Sequence, residues 1–303
     1  MTSQDYHEKP PQLIRYFMYN FKSWMRVLPR GKRGQPRKVV FLSVEGSRTE
    51  QDYFRLLNFH RKDLGFKSNV HIEVLGHDFD TNSGIGNVFD LLDDVLQIRK
   101  KGISENDLSD ALKDQNEIPI ERIRLFLTDK LSEKEKESVD DALRLLKIDY
   151  TYQKYLKDLN DGEIEKDDVY AMVIDRDKQS HRRDKLTEII NKCNENGFMC
   201  ILTNPCFEFW LLLNLCDVKE EYAGRLELFS DNKRVSGKHT FTSKELSLKA
   251  GHYKGISDAV FRQYYLDGLE TGMKNAEKFE TSLDKIIDNL GTNMPKLINV
   301  LRE

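Results

Sequence analysis

The chain has 303 residues, of which 39% are hydrophobic and 33% are charged, so it can bury the core of one large domain or two modest ones beneath a well-solvated surface. Its formal net charge of −3 argues against a protein that coats nucleic acid non-specifically, although it is compatible with local basic patches. No apolar run approaches the roughly 20 residues that a membrane-spanning helix needs, and residues 1–11 lack the apolar core of a signal peptide. We therefore expect a cytoplasmic protein with no membrane segment.

The cysteines also indicate a cytoplasmic protein. They are Cys193, Cys200, Cys206 and Cys216. No two of them form a Cys-x-x-Cys pair, and the last three lie in or beside apolar runs. We therefore expect reduced thiols rather than disulfides or a structural zinc site.

A basic N-terminal arm is predicted for residues 1–37. Its basic residues lie among Gly and Pro just ahead of the first predicted strand, and Lys38 extends the cluster: Arg26, Arg30, Lys32, Arg33 and Arg37. Such a cluster is compatible with a solvated tail and with an arm that contacts nucleic-acid phosphates, and the sequence alone leaves both interpretations open.

An alternation of strands and helices is predicted from residue 38 to residue 216. In chain order, the predicted elements are a strand at 38–44, a helix at 49–64, a strand at 70–75, a helix at 87–99, a strand at 169–174, a helix at 182–196, a strand at 198–203 and a helix at 206–215. This order favours a parallel sheet with right-handed crossovers. Residues 101–168 are charge-dense and helical in character, which predicts a helical insertion between the two halves of the sheet.

A C-terminal helical region is predicted for residues 217–303. Residues 217–255 look irregular and basic, whereas a long helix is predicted for 256–290 because its apolar residues fall at three-four spacing. This seam fits packing against the core better than a two-stranded coiled coil, the arrangement that would make a homo-oligomer. A short last helix is predicted to begin near Met294.

Carboxylates stand at the ends of two predicted strands. Glu45 ends the first strand, and Asp175 and Asp177 end the third. The carboxyl ends of parallel strands line the crevice where open α/β sheets bind ligands, and residues i and i+2 of a strand share a face. Asp175 and Asp177 can therefore share one metal ion, with Glu45 as a further ligand or as a base. Oxygen ligands suit Mg²⁺ (or Mn²⁺), and the arrangement is typical of metal-dependent phosphodiester cleavage.

Other polar residues near these strand ends have two open interpretations. Glu208, at the start of the helix that follows the fourth strand, either joins the site or stabilises the amino end of its own helix. Glu50 likewise either joins the site or caps its helix. Lys178, Arg182 and Arg183 follow the third strand, where they either hold a nucleic-acid backbone or form a solvated helix start.

Three segments carry motifs in an order that is typical of one family. They are Glu45-Gly46 followed by Thr49-Glu50 and Tyr53-Phe54, then Ile174-Asp175-Arg176-Asp177, and then Asn204-Pro205-Cys206-Phe207-Glu208-Phe209-Trp210-Leu211-Leu212-Leu213. On these residues the chain resembles the RloB family. The resemblance covers about 38–100 and 169–216, and it extends weakly to Tyr253-Lys254 and the last helix. Residues 101–168 stand where RloB-like chains usually have a short connection.

The resemblance implies a Toprim-like (Rossmann-like) α/β domain at residues 38–216, since the RloB family belongs to the Toprim-like superfamily. It implies that Glu45 is an acid or base, that Asp175 and Asp177 bind the metal, and that Lys254 contacts nucleic acid. RloB-like proteins are regarded as nucleases of bacterial antiphage defence, commonly found beside an ABC-type ATPase. We therefore expect a toxic Mg²⁺-dependent nuclease that cleaves tRNA, other RNA or DNA. The alternative is a non-catalytic module that binds nucleotide or nucleic acid and docks on an ATPase partner.

Overall fold

The computed structural model describes residues 38–46, 48–75, 84–101, 132, 168–178, 182–251 and 255–303. The predicted basic arm, nearly all of the predicted insertion, and Lys254 lie outside these residues, so the predictions made for them stay predictions. One compact unit comprises Gly34–Leu92 and Asp167–Glu303 and contains all five strands of the described part of the chain.

The centre of this unit is a mixed β-sheet. Its strands are β1 (Lys38–Val44), β2 (Val70–Leu75), β3 (Val169–Asp175), β4 (Met199–Asn204) and β5 (Gly291–Thr292). They lie side by side in the order β2-β1-β3-β4-β5, with β1 to β4 parallel and β5 antiparallel to β4. The prediction of an α/β fold with a mostly parallel sheet is confirmed.

Helices connect and cover the strands. In chain order they are α1 (Thr49–Phe59), α2 (Ile85–Lys101), α3 (Arg183–Asn196), α4 (Phe207–Leu213), α5 (Val218–Glu221), α6 (Leu226–Asp231), α7 (Phe241–Ala250), α8 (Asp258–Tyr264), α9 (Leu269–Ala276), α10 (Leu283–Ile286) and α11 (Met294–Arg302). None of the helices in the described part of the chain is long and apolar enough to cross a membrane.

The central strands are buried on both faces because their apolar side chains point to both sides. On one face, Val44 and Val173 join a core cluster that also contains residues of α1, α4 and α11. On the other face, Phe41 stacks on Tyr170 with ring centroids 5.2 Å apart, and α3 packs against β4. This two-sided burial explains why near-continuous apolar runs predicted these strands correctly.

The C-terminal region differs from its prediction. Residues 217–255, predicted to be irregular, contain α5, α6 and α7, and the predicted long helix at 256–290 is wrong because this stretch forms α8, α9 and α10. A Cβ atom at Gly268 would overlap with the backbone oxygens of Tyr264 and Asn214, so the chain packs closely at this break. The apolar seam does reach the core, since Leu269 is buried.

The short strand β5 was not predicted. Thr292 pairs with Thr203 of β4, and the next residue, Asn293, continues along the same edge. The Asn293 side chain accepts the Leu202 N–H at 2.7 Å and donates to the Cys200 carbonyl at 2.9 Å. A two-residue strand leaves no periodic pattern, so only its hydrogen bonds to β4 reveal it.

Candidate functional site

Glu45 and Asp175, two of the predicted strand-end carboxylates, meet between β1 and β3, where the order of the strands in the sheet reverses. From β1 the chain crosses to β2 on one side, and from β3 it crosses to β4 on the other, so the crevice between β1 and β3 is a topological switch point. The Glu45 N–H donates to the Val173 carbonyl at 3.1 Å, and Glu45 Oε2 accepts the Asp175 N–H at 3.1 Å. The backbone therefore places the Glu45 carboxylate directly beside Asp175.

Helix α4 brings Glu208 to the same edge. The chain turns after β4, and the first amide of the helix, Phe207 N–H, donates to Asp175 Oδ1 at 2.8 Å. A carboxylate is favourable at this position because the amino end of a helix carries partial positive charge. Asp175 thus links the end of β3 to the start of α4, and the charge of Glu208 acts on Asp175 across this contact.

Glu50 is the fourth carboxylate of the site. It lies in the first turn of α1, is buried, and accepts hydrogen bonds from the backbone N–H groups of Gly46 and of Glu50 itself. A Cβ atom at Gly46 would overlap with the Glu50 carboxylate, so only glycine permits this approach. Glu50 therefore bonds backbone at the helix start, as the capping interpretation predicts, and it also lies close enough to Glu208 and Glu45 for their charges to act on it, while its role in a functional site stays a prediction. In the sequence, the spacing Glu-Gly-x-x-x-Glu is the pattern that indicates this contact between Gly46 and Glu50.

The four carboxylates form an acidic cluster, defined here as Glu45, Glu50, Asp175 and Glu208. Burial, together with the charges of Glu208 and Glu45, raises the pKa of Glu50 from 4.5 to about 8. Burial and the charges of Glu50, Glu45 and Glu208 likewise raise the pKa of Asp175 well above its ordinary value. Like charges in a poorly solvated site disfavour one another's ionisation, so Glu50 and Asp175 hold protons at a pH at which isolated carboxyl groups would release them.

The donor set of the acidic cluster fits a divalent cation in charge and in chemistry. Carboxylate oxygens are the ligands that Mg²⁺ and Mn²⁺ prefer, and an added cation would offset the repulsion that raises these pKa values. In the described part of the chain, however, no group of three or more His, Cys, Asp and Glu side chains is arranged as a ready-made metal site. Glu45 and Asp175 each already accept a backbone N–H with one oxygen.

Asp177 takes a different position from the one that strand geometry predicts. Strand β3 ends at Asp175, after which Arg176 N–H donates to the Thr203 carbonyl at 2.8 Å and Asp177 N–H donates to the Pro205 carbonyl at 3.0 Å. Burial lowers the pKa of the Arg176 guanidinium, an effect that the charges of Asp288 and Asp177 oppose. Asp177 thus lies beside Arg176, and its sharing of one ion with Asp175 stays a prediction.

Cys206 is a member of the site that the sequence did not indicate. The apolar run predicted a core position, and the thiol is indeed buried, but it also hydrogen-bonds Glu208. Burial and the charges of Glu208 and Asp175 raise the pKa of this thiol well above its usual range. The Asn232 amide donates to its Sγ at 3.6 Å, which connects the site to the end of α6.

Two of the predicted basic contacts, Arg182 and Arg183, are paired with carboxylates. Arg182 binds both oxygens of Asp184 at 3.1 and 2.5 Å, and Arg183 binds both oxygens of Asp288 at 3.1 and 3.0 Å. All of these side chains are exposed, as is Lys178. Their predicted contact with nucleic acid is untested, and it would require these surface ion pairs to open or to share their donors.

A mostly parallel sheet flanked by helices, with a partly buried acidic cluster at its switch point, defines an α/β protein with a Rossmann-like architecture. Within this class, the chain belongs to the RloB-like family, because the model of the family described as RloB-like protein matches residues 40–301. Searches of curated proteins and of solved structures gave no match. The match extends over both the sheet and the C-terminal helices, including regions where the motifs alone were weak.

Proposed function

We propose that this protein is a metal-dependent nuclease whose active site is the acidic cluster. The observation that carries the proposal is the convergence of four carboxylates from β1, α1, β3 and α4 at the switch point, with the pKa values of Glu50 and Asp175 raised by burial and mutual charge. Gathering four acids in one site, with Glu50 buried and the other three half-buried, is costly unless their charge is compensated, and functional sites are where such clusters concentrate. Mg²⁺ or Mn²⁺ is the proposed counter-charge.

The residues of the cluster have distinct proposed roles. Asp175 is held by the Phe207 N–H on Oδ1, and its second oxygen is the proposed ligand of the cation. Glu45 is the proposed acid or base, Asp177 is a further metal ligand, and Glu208 assists from the helix start. When bound, the cation would supply charge neutralisation on the phosphate and a water of lowered pKa. Glu50 joins the site as a residue that tunes its total charge.

The family resemblance supports the biological part of the proposal. RloB-like proteins are regarded as effectors of bacterial antiphage defence, and we propose that this chain is a toxic effector that cleaves tRNA, other RNA or DNA. An ABC-type ATPase is the proposed partner that restrains it. Copurification with neighbouring gene products, followed by mass measurement, tests the partner. A fully active monomer that binds none of its neighbours would contradict it.

The catalytic proposal is tested by removing single carboxylates. Asp175→Asn and Asp177→Asn are each expected to lower Mn²⁺- or Mg²⁺-dependent cleavage of cellular RNA and DNA by at least about 100-fold, since each removes a charge from the reacting site. Asp267→Asn is the matched control, because Asp267 is exposed on the loop before α9. Cleavage is read by sequencing the ends produced. Parent-level cleavage by both site variants would refute the proposal.

A second candidate function is favoured by the hydrogen bonds of the cluster. The carboxylates of Glu45 and Asp175 accept hydrogen bonds from backbone N–H groups at the edge of the sheet, and carboxylates with a purely structural role would form the same bonds. The protein would then be a non-catalytic module that binds nucleotide or nucleic acid and docks on an ATPase. Calorimetric titration with Mn²⁺ separates the two functions, because only the nuclease needs a divalent ion whose binding is lost in Asp175→Asn.

A further inference from the structure

A short hairpin stands beside the acidic cluster and has no role in the function proposed so far. We call residues 233–240 the basic hairpin. Arg234 and Thr240 form its β-bridge, and the Val235 N–H donates to the His239 carbonyl at 2.9 Å. Its first strand and its tip are exposed to solvent. The hairpin is therefore a defined element that projects from the surface between α6 and α7.

The charge of the hairpin is strongly positive and incompletely compensated. Lys233, Arg234 and Lys238 lie on its exposed part. Lys233 pairs with Asp231 at 3.2 Å, whereas Arg234 and Lys238 form no ion pair with any carboxylate of the described residues. This differs from Arg182 and Arg183 near β3, which bind carboxylates. Uncompensated cations on a projecting hairpin favour a polyanionic partner.

The base of the hairpin is fixed at the acidic cluster by Asn232. This residue has a left-handed backbone with φ of 39°, and its Oδ1 accepts the Thr242 N–H at 3.0 Å on the other side of the hairpin. Its Nδ2 donates to Cys206 Sγ at 3.6 Å, and the Cys206 thiol in turn forms a hydrogen bond with Glu208. Two side chains therefore bridge the distance from the hairpin to the carboxylates.

We propose that the basic hairpin holds the phosphodiester backbone of a nucleic-acid strand while a nearby phosphate of that strand lies at the acidic cluster. This inference rests on the proposed nuclease function and adds the surface that retains the substrate. Arg234 suits the role because a guanidinium can bind two phosphate oxygens at once, and Lys238 adds a second point charge. Cations beside the cluster also counter the repulsion between its carboxylates and a polyanion.

The test measures binding separately from cleavage. The Arg234→Gln/Lys238→Gln double variant is made in the Asp175→Asn background, and its affinity for a 5′-labelled single-stranded RNA of about 20 nucleotides, and for DNA of the same sequence, is measured by fluorescence anisotropy in EDTA across a salt series. We expect Kd to rise by about tenfold at low salt. The slope of log K against log salt should fall by about 1.4, or roughly 0.7 for each lost phosphate contact on a single strand.

The matched control is Lys62→Gln/Lys67→Gln in the same background. Both lysines are exposed, and they lie between α1 and β2 at the amino ends of the strands, away from the acidic cluster. This control removes the same charge and should leave Kd within about twofold, because most of its effect is screened at that distance. A weaker effect on one type of strand would identify the other as the preferred substrate class.

Three results bear on the inference. Equal losses in the hairpin variant and the control would overturn it, and so would failure of the Asp175→Asn parent to bind either strand. If binding depends on the hairpin but the unmodified protein cleaves neither RNA nor DNA with Mg²⁺ or Mn²⁺, the hairpin's contact with nucleic acid stands as a binding surface and the nuclease proposal fails. The two failures are therefore distinguishable.

Discussion

At the residue scale, the absence of a side chain at Gly46 allows the Glu50 carboxylate to pack against the backbone. The Glu50 carboxylate occupies the space that a Cβ atom at Gly46 would take, so the glycine is required by a side chain four positions along the chain rather than by a positive φ. This close approach also brings Glu50 within reach of the charges of Glu45 and Glu208. The absence of a Cβ atom at Gly46 thus permits the observed position of the Glu50 carboxylate.

The substitution Gly46→Ala tests this arrangement. The added methyl group should displace the Glu50 carboxylate and lower cleavage activity by about 10- to 100-fold, with a smaller effect on the melting temperature. Gly86→Ala is the matched control, because nothing lies within 4 Å of a Cβ built at Gly86, and alanine in α2 should be neutral or slightly stabilising. Equal activity of the two variants in the end-sequencing assay would show that the position of Glu50 does not matter.

The raised pKa of Glu50 predicts how stability depends on pH in the absence of metal. A carboxyl group whose folded-state pKa exceeds its unfolded value binds more protons in the folded state between the two values, here from 4.5 to about 8. The free energy of unfolding should therefore fall as pH rises through this window, by at most about 1.4 kcal/mol per pH unit from this group. Below pH 4.5 the penalty is absent, and above pH 8 it is complete.

Urea unfolding in EDTA at pH 5.5, 6.5, 7.5 and 8.5 checks this expectation. Glu50→Gln should show a flatter pH dependence than the parent and should be more stable at pH 8.5, because the amide keeps the shape and loses the charge. Glu277→Gln, at an exposed position after α9, serves as the control and should follow the parent. An unchanged slope in Glu50→Gln would mean that other carboxylates carry the effect.

At the element scale, the site depends on how α1 and α4 are joined. The indole N–H of Trp210 donates to Tyr53 Oη at 3.0 Å, and both side chains are fully buried. Tyr53 also contacts the rings of Phe207 and Phe261, with centroids 5.4 and 5.8 Å away. Because α1 carries Glu50 and α4 carries Glu208, this aromatic contact joins the two helices that supply two members of the acidic cluster.

Tyr53→Phe removes the hydrogen bond and retains the ring. The Trp210 N–H would be left buried without its acceptor, so we expect the free energy of unfolding to fall by about 1–3 kcal/mol. Tyr264→Phe is the control, since no hydrogen bond of the Tyr264 hydroxyl is present among the described residues, and it should change stability by less than about 0.5 kcal/mol. Denaturant midpoints measure both, and equal midpoints would mean that the bond contributes nothing net.

At the scale of the whole molecule, the two halves of the sheet come from distant parts of the chain. Strand β1 pairs directly with β3, and the Val39 N–H donates to Asp168 Oδ1 at 2.7 Å where β3 begins. The intervening stretch at 101–168 contributes no strand to the sheet among the described residues. The strands and their covering helices therefore form a continuous core across this interruption of the chain.

Deleting residues 105–167 and joining the ends with a short flexible linker should leave a protein that folds cooperatively. The expected result is a single thermal transition with divalent-ion binding retained, because helices on both faces already cover the sheet. The full-length protein under the same buffer conditions is the comparison. Aggregation with loss of the transition would show instead that residues of the deleted stretch complete the core.

The sequence by itself determined the strands β1 to β4 and their parallel arrangement, and it named all four cluster residues as candidates, with a second interpretation left open for Glu50 and Glu208. Strands buried on both faces must consist of apolar runs, and carboxylates placed where such runs end must meet at one edge of the sheet. Glu45 and Asp175 were therefore found from local pattern alone. The family motifs around them implied the same assignment; the family match over residues 40–301 confirms the family, and the roles of these two residues stay predictions.

Only the tertiary structure decided the features that depend on contacts between distant residues. The stretch at 256–290 has helical periodicity, yet close packing at Gly268 and Gly272 against Asn214 and the pairing of Glu280 with Gly291 divide it into shorter helices. Such contacts outweigh differences in intrinsic helix propensity, which amount to at most about 0.7 kcal/mol per residue for residues other than Gly and Pro.

The same reason applies to the site itself. Besides burial, the pKa of Asp175 depends on the charges of Glu50 and Glu45, more than a hundred positions earlier in the chain, and Cys206 contacts the acidic cluster through its hydrogen bond with Glu208. Electrostatic interaction and burial depend on distances between side chains in space, and no local pattern records those distances.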